Sequence, residues 1–97
     1  MTVKPQGVKH DDGKLRMDLI PPEALESMAE VLTYGAKKYA DRNWEQGIDT
    51  GRVLAALLRH LTAHMRGEVK DPESGISHLR HVLCNAAFLV TLEARGQ

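Results

Sequence analysis

Apolar residues recur at steps of three and four in three separate segments of the chain, the spacing that places side chains on one face of an α-helix. The first segment runs from Pro22 to about Tyr39, the second from about Arg52 to Arg66, and the third from about Ile76 to Ala94. No segment alternates apolar and polar residues strongly enough to indicate a strand. The pattern predicts an all-α fold, a small bundle of about three main helices.

The stretches between these segments are polar and rich in turn-forming residues. Residues 40–51 form the first such stretch and residues 67–75 the second. Gly67 is suited to end the second helix because glycine tolerates the left-handed conformation common there. Ser74 or Ser77 is a candidate N-cap for the third helix.

The N-terminal part of the chain, residues 1–21, lacks any sustained periodicity. It combines many charges with helix-breaking glycine and proline residues, so we expect an extended arm. Its only residues apolar enough to dock on a core are Leu15, Met17, Leu19 and Ile20.

The helical spacing also predicts which residues form the core. In the first helix these are Leu25, Met28, Ala29, Leu32, Ala36 and Tyr39. In the second they are Leu54, Leu57, Leu58, Leu61 and Met65. The third helix is apolar around most of its circumference, so we expect it to lie centrally or at a subunit interface.

Length and charge limit the classes of protein. The 97 residues are expected to form a single domain, residues 1–97. A chain of this size removes only roughly 60 to 68% of its unfolded surface from water, so we expect oligomerisation, as a homo-dimer or tetramer, to complete the bundle. Thirteen Lys and Arg balance thirteen Asp and Glu. Without a net field, neither a nucleic acid polymer nor a membrane is an expected partner.

The single cysteine and the apolar content indicate the compartment. Cys84 lies among Leu83, Ala86 and Ala87, the setting of an inert buried thiol. Residues 1–9 lack the apolar run of a secretory signal, and no window approaches the roughly 20 apolar residues of a membrane span. We expect a cytoplasmic protein.

Three carboxylates, Glu23, Glu26 and Glu30, share one flank of the first helix because they recur at steps of three and four. An acidic flank is often only a solvated face. Glu26 lies nearest the apolar face, however, which favours a groove between helices, where a hard cation would relieve the repulsion. Both interpretations stay open from the spacing alone.

A second polar stripe, His78, His81 and Asn85, lies on the otherwise apolar third helix. It is either a satisfied polar cluster or part of a site. His60 and His64 form another pair, which at this spacing can share a metal ion, although the glutamate of a zinc protease helix is absent between them. If the acidic flank and the stripe of His78 face each other, they form a metal and phosphate site.

Candidate groups for phosphate and base recognition come in local sets. The cations are Lys14 and Arg16 on the arm, Lys37, Lys38 and Arg42 at the end of the first helix, and Arg52 and Arg59 on the second. Trp44 offers a plane for base stacking and Asn43 an amide for a base edge, although a loop tryptophan is more often a packing anchor. A Walker A loop, a dinucleotide-binding glycine motif and a cysteine pair are all absent from the sequence. We treat His10-Asp11 as a chance match to the HD phosphohydrolase dyad, which belongs on a helix.

Four strings of residues carry a family resemblance that covers about residues 9–93. They are residues 10–22, 34–45, 57–62 and 71–85. In these strings the chain resembles the small, largely phage-encoded proteins called dATP/dGTP diphosphohydrolases, which are similar to the all-α nucleoside triphosphate pyrophosphatases of the MazG type. The resemblance implies a hydrolase of purine deoxynucleoside triphosphates that releases monophosphate and pyrophosphate in a bacterial or phage-infected host cytoplasm.

The resemblance also implies a metal cofactor, Mg²⁺ or Mn²⁺. In MazG-type enzymes a Glu-x-x-Glu helix and a later Glu-x-x-Asp helix hold the ion. Glu23 and Glu26 match the first motif, and the second is replaced by His78 and His81. Because nitrogen ligands favour manganese, zinc or iron over magnesium, another divalent ion is also compatible. Alternatively, these histidines contact phosphate, and Asp71 or Glu73 supplies the missing oxygen.

These observations give a hypothesis for the site. Glu26 and Glu30 are the predicted catalytic residues, and they hold the metal together with Glu23, His78 and His81. The predicted substrate-binding residues are Lys14, Arg16, Lys37, Lys38, Arg42, Asn43, Trp44 and Asn85. The alternatives are a non-catalytic helical module that binds a nucleotide or a protein, and a metal phosphohydrolase that releases single phosphates.

Overall fold

Three α-helices make up most of residues 7–97, the part of the chain that the computed structural model describes. They are α1 (Pro22–Lys38), α2 (Thr50–Met65) and α3 (His78–Ala94). Helix α3 packs against both α1 and α2 and is therefore the central helix. Within residues 7–97 there is no strand, and the only β pairing is an isolated bridge between Lys70 and Ser77. The all-α prediction of three main helices is confirmed.

No helix in the described chain combines the length and the apolar content that a membrane span requires.

Capping residues set the helix boundaries. Helix α2 begins two residues earlier than predicted because the Asp49 carboxylate accepts a hydrogen bond from the Gly51 amide at 2.9 Å. Helix α3 begins at His78, two residues later than predicted. Its N-cap is Ser77, whose hydroxyl accepts from the Arg80 amide at 3.2 Å. Both side chains satisfy amides that the first turn leaves without helical partners. The candidate capping role of Ser77 is confirmed.

The connection between α2 and α3, residues 66–77, folds back on itself and is called here the α2–α3 loop. The Asp71 amide donates to the Ile76 carbonyl at 2.9 Å, and the His78 amide donates to the Val69 carbonyl at 2.8 Å. Gly75 completes the reversal with a φ of +73°, a conformation that favours glycine. The fold of this loop brings Asp71 beside the first turn of α3.

The N-terminal arm is described from residue 7 onward, and the first six residues of the predicted arm lie outside the described residues. Residues 7–21 are exposed and contain one short 3₁₀ turn, Met17–Leu19. Leu15 and Ile20 are exposed as well. The apolar residues of the arm are therefore not buried against the core of the single chain.

Helix α1 turns a different side inward from the one predicted. Ser27 is buried, and Val31 and Tyr34 are half-buried, whereas the predicted core residues Leu25 and Leu32 are exposed. Of the other predicted core residues of α1, Met28 and Ala36 are half-buried, and Ala29 and Tyr39 are exposed. The Ser27 hydroxyl donates to the Glu23 carbonyl at 2.6 Å, so a small and satisfied side chain permits close packing there.

Helix α2 also departs from the predicted core. Val53 is buried, and Leu57 and Leu61 are half-buried. However, the side chains of Leu54, Leu58 and Met65 are 46%, 50% and 76% exposed. The inward side of α2 carries His60, which finds polar partners on α3. The three exposed residues, called here the α2 apolar stripe, are therefore not core within the single chain.

Cys84 is buried as predicted, with 1% of its surface exposed, and burial raises the pKa of its thiol to about 11. The thiolate is the nucleophile in alkylation. We therefore expect iodoacetamide at pH 8 to label Cys84 at least about 100-fold more slowly in the folded protein than in urea. Mass spectrometry of a labelling time course measures both rates. Equal rates would contradict the burial of this thiol.

Candidate functional site

A pocket of about 550 Å³ opens between the three helices and their connections. Its wall unites side chains from every part of the bundle, and seven of them were predicted as site residues from the sequence. These are Lys38, Arg42, Asn43, Trp44, His78, His81 and Asn85. Residues that are distant in the sequence thus share one cavity large enough for a small organic ligand.

Three potential metal ligands converge in this pocket, and they are called here the His–Asp cluster: His60, Asp71 and His78. Each offers one ligand atom, and these atoms all lie within 4.8 Å of one another. His60 comes from α2, Asp71 from the α2–α3 loop and His78 from the first turn of α3. Among residues 7–97, no other group of histidine, cysteine or acidic side chains converges in this way.

A chain of hydrogen bonds orients the two imidazoles of the cluster. Nε2 of His78 lies 2.7 Å from Oε1 of Glu68, and Nδ1 of His78 lies 2.8 Å from Nδ1 of His60. Because a carboxylate only accepts, Nε2 of His78 donates to Glu68. In neutral His78, Nδ1 is then the acceptor, and Nδ1–H of His60 donates to it. Glu68 thereby directs a lone pair of His78 into the cluster.

Ser74 holds the carboxylate of the cluster. Its amide and its hydroxyl both donate to Oδ2 of Asp71, at 3.0 and 2.8 Å. Since the hydroxyl has only one proton, Nε2 of His81 is the donor in its 2.7 Å contact with the Ser74 oxygen. Oδ1 of Asp71 is left outside the contacts with Ser74.

The ionisation of these groups suits metal ligands. Burial alone would raise the pKa of Asp71, but the hydrogen bonds from Ser74 and the nearby imidazoles outweigh it, so the pKa is lowered. Burial lowers the pKa of His60, and the ring of His81, stacked on it at 4.3 Å, lowers it further. Burial also lowers the pKa of His81, against the opposing charge of Asp71. These shifts favour the Asp71 carboxylate and the neutral imidazoles of His60 and His81, and a carboxylate and a neutral imidazole are the forms that bind metals.

The acidic flank of α1 lies elsewhere. Glu23, Glu26 and Glu30 are exposed, and none of them lines the pocket or belongs to the His–Asp cluster. Glu30 forms an ion pair with Arg80 of α3. The charge of Glu30 reaches His81 and opposes the lowering of its pKa by burial, but none of the three carboxylates joins the His–Asp cluster within the single chain. Their roles as metal ligands and catalytic residues stay a prediction.

The cations of the pocket are partly paired. Lys38 forms an ion pair with Glu73, and Arg42 forms one with Glu45 at 3.1 Å. Arg59 also lines the cavity, although it was not among the predicted substrate-binding residues. The Lys38–Glu73 pair is exposed and therefore contributes little stability, whereas the Glu45 carboxylate is half-buried.

The other predicted cations lie outside the pocket. Lys14 and Arg16 are on the exposed arm, where Arg16 pairs with Asp18 at 2.8 Å, and Lys37 is exposed on α1. Their substrate-binding roles stay a prediction.

Trp44 already has ring partners. Its indole stacks on Phe88 with centroids 4.7 Å apart, and the Arg95 guanidinium lies 5.5 Å from the indole centroid. These contacts favour a packing anchor for the loop, whereas base stacking on Trp44 would have to compete with them. The amides of Asn43 and Asn85 line the same pocket.

Sequence reasoning missed two residues that shape the site, Glu68 and Ser74. The turn-forming string from Asp71 to Gly75 carries a signal for Ser74, because an aspartate commonly accepts hydrogen bonds from the residues of the turn it begins. Glu68 has no comparable signal. Its partner His78 is ten residues away, and only the fold of the α2–α3 loop brings them together.

Comparison with known proteins identifies the family of the chain. A family model described as "dATP/dGTP diphosphohydrolase, N-terminal" matches residues 4–97. A protein of Salmonella phage PMBT28 named "dATP/dGTP diphosphohydrolase" is 36% identical over 86 residues, which cover 89% of this chain and 29% of the phage protein. The chain thus spans less than a third of that relative. No solved structure matches this chain.

Proposed function

The chain belongs to the dATP/dGTP diphosphohydrolase N-terminal family, and from this premise we propose that it takes part in the metal-dependent hydrolysis of dATP and dGTP to monophosphate and pyrophosphate. One observation carries the proposal: a single pocket combines the His–Asp cluster with cationic and amide side chains. The reaction and the all-α fold would be similar to those of the MazG-type pyrophosphatases.

The side chains of the pocket would have two roles, metal binding and phosphate binding. His60, Asp71 and His78 would hold a divalent ion, which when bound activates water and neutralises phosphate charge. Lys38 and Arg59 would bind phosphate oxygens and stabilise the charge that builds on the leaving pyrophosphate.

Base recognition would fall to the amides of the same pocket. Asn43 and Asn85 each offer a donor and an acceptor, the combination that reads a purine edge. Trp44 would keep the loop of Asn43 in place through its contact with Phe88. The amides are therefore the proposed determinants of base preference.

The acidic flank of α1 is a second candidate ligand set. Glu23, Glu26 and Glu30 have the spacing of the resembled family, and their exposure leaves them open to a metal ion or to another subunit.

A second copy of this chain is the proposed partner. Helices α1, α2 and α3 each leave large apolar side chains exposed, including Leu32, Leu58 and Leu83. Such surface is unfavourable in water, and association of identical chains would remove it. We propose that the α2 apolar stripe takes part in this contact.

The products of the reaction test the proposal directly. We expect the protein, incubated with each of the four deoxynucleoside triphosphates and with Mn²⁺ or Mg²⁺, to convert dATP and dGTP to monophosphate and pyrophosphate. Anion-exchange chromatography and ³¹P NMR separate the products. Binding without turnover under every metal would instead support the non-catalytic module, and inorganic phosphate as the first product would support a different phosphohydrolase.

A further inference from the structure

We propose that His60, Asp71 and His78 form a nitrogen-rich metal site that selects a transition-metal dication such as Mn²⁺, Fe²⁺, Co²⁺ or Zn²⁺ over Mg²⁺, and that Glu68 and Ser74 are positioning residues that orient its ligands. The inference deepens the proposed function, on whose metal dependence it rests. It assigns the ion to the α2–α3 side of the pocket and not to the acidic flank of α1.

The distances fit such an ion after a small adjustment. Two nitrogens that each lie about 2.1 Å from one ion are about 3.0 to 3.4 Å apart at ordinary coordination angles. The Nδ1 atoms of His60 and His78 are 2.8 Å apart. A separation of the two rings by a few tenths of an ångström is sufficient, and the helices need not move.

The ligand chemistry points to the class of metal. Two of the three ligands are imidazoles, which suit transition metals, whereas Mg²⁺ prefers oxygen ligands and retains its waters. Three protein ligands also leave coordination positions for water and for phosphate oxygens. A site that required Mg²⁺ would be expected to contain more carboxylates than the single Asp71 present here.

The residues around the ligands have the arrangement that metal sites use. Glu68 accepts from Nε2 of His78 and thereby fixes the tautomer whose Nδ1 lone pair faces the cluster. Ser74 holds Oδ2 of Asp71 and leaves Oδ1 for the ion. Tautomerisation of His60, which moves its single proton from Nδ1 to Nε2, would free the Nδ1 lone pairs of both rings.

The test is metal binding measured without any nucleotide. We expect calorimetric titrations with Mn²⁺ and Co²⁺ to show one bound ion per chain, with Mg²⁺ at least about 10-fold weaker. Bound Co²⁺ should show visible d–d absorption typical of mixed nitrogen and oxygen ligands. Asp71→Asn and His60→Ala should abolish this spectrum, with circular dichroism used to check that the helices remain.

The positioning role of Glu68 is tested in the same titration. Glu68→Ala should weaken Co²⁺ binding by about 10- to 100-fold, the usual effect of losing the partner of a ligand. Glu68→Gln should recover part of this loss, because its amide oxygen can still accept from His78. Glu93→Ala, which removes an exposed carboxylate at the end of α3, is the matched control and should bind Co²⁺ normally.

Two results would overturn the inference: no Co²⁺ or Mn²⁺ binding by the wild-type protein, or loss of the ion in Glu26→Gln and Glu30→Gln but not in Asp71→Asn. A different result would contradict the proposed function. A protein that binds Co²⁺ through the His–Asp cluster but hydrolyses no nucleotide would support the metal site and contradict the reaction.

Discussion

Asp71→Asn is expected to slow pyrophosphate release from dATP by at least about 100-fold. Asparagine has nearly the same size, and its amide oxygen can still accept from Ser74, so the α2–α3 loop should keep its fold. The variant loses the negative charge and the better metal ligand. Initial rates of pyrophosphate release at saturating Mn²⁺ measure the effect, and circular dichroism checks the helices.

Variants of the acidic flank provide the contrast. From the sequence alone, Glu26→Gln and Glu30→Gln are expected to abolish metal-dependent pyrophosphate release while leaving the helices folded. If both variants are fully active and Asp71→Asn is not, the metal belongs to the His–Asp cluster. The opposite pattern would assign it to α1. Glu93→Gln, at an exposed position outside the pocket, controls for the loss of a charge.

The helices were predictable because their signal is local. Apolar residues recur at steps of three and four within each segment, and this spacing identified all three helices without any tertiary information. The predicted starts of α2 and α3 each differ by two residues from the observed ones. At both starts, a capping side chain, Asp49 or Ser77, accepts one hydrogen bond and determines the first turn. A capping residue can be recognised, but several candidates lie side by side in the sequence.

The buried faces were predicted less well, because periodicity identifies apolar stripes but not their partners. Helix α2 carries Val53 and Leu57 on one side and Leu58 on another, and the sequence does not say which side meets α3. In α1 the small Ser27 permits close approach, so it is buried while the larger Leu25 stays exposed. A weakly apolar side of a helix can thus be the inner one.

In the site too, residues that share a helix could be grouped from the sequence, whereas residues brought together by a loop could not. His78, His81 and Asn85 are on one side of α3 because helical spacing requires it, and the sequence could group them. The presence of Asp71 beside them depends on the reversal of the α2–α3 loop at Gly75, and Glu68 joins them only through that reversal. Loop conformation is set by several weak contacts at once, and no residue pattern specifies it alone.

Leu58→Lys is the second change with a large expected effect, because it should convert an oligomer into a monomer. Leu58 of the α2 apolar stripe borders a surface groove of about 490 Å³. The small side chains Ala55, Thr62 and Ala63 and the charged side chains Arg59, Arg66 and Glu68 line the rest of it. Bulky groups of a second copy would fit such a groove. In a two-fold contact the same patch is used on both chains, so two new lysines would come close together and repel each other.

We expect this variant to weaken association by at least about 100-fold, since like charges brought together at an interface cost several kcal/mol. Because Leu58 is half exposed in the single chain, the substitution should lower the free energy of unfolding of that chain by less than about 1 kcal/mol. Light scattering coupled to size-exclusion chromatography should give the monomer mass of 10.8 kDa for the variant and a multiple of it for the wild-type protein. Val90→Lys makes the same change on the exposed side of α3. Dissociation by Val90→Lys with Leu58→Lys still oligomeric would place the contact on α3, and a monomeric wild-type protein would contradict association altogether.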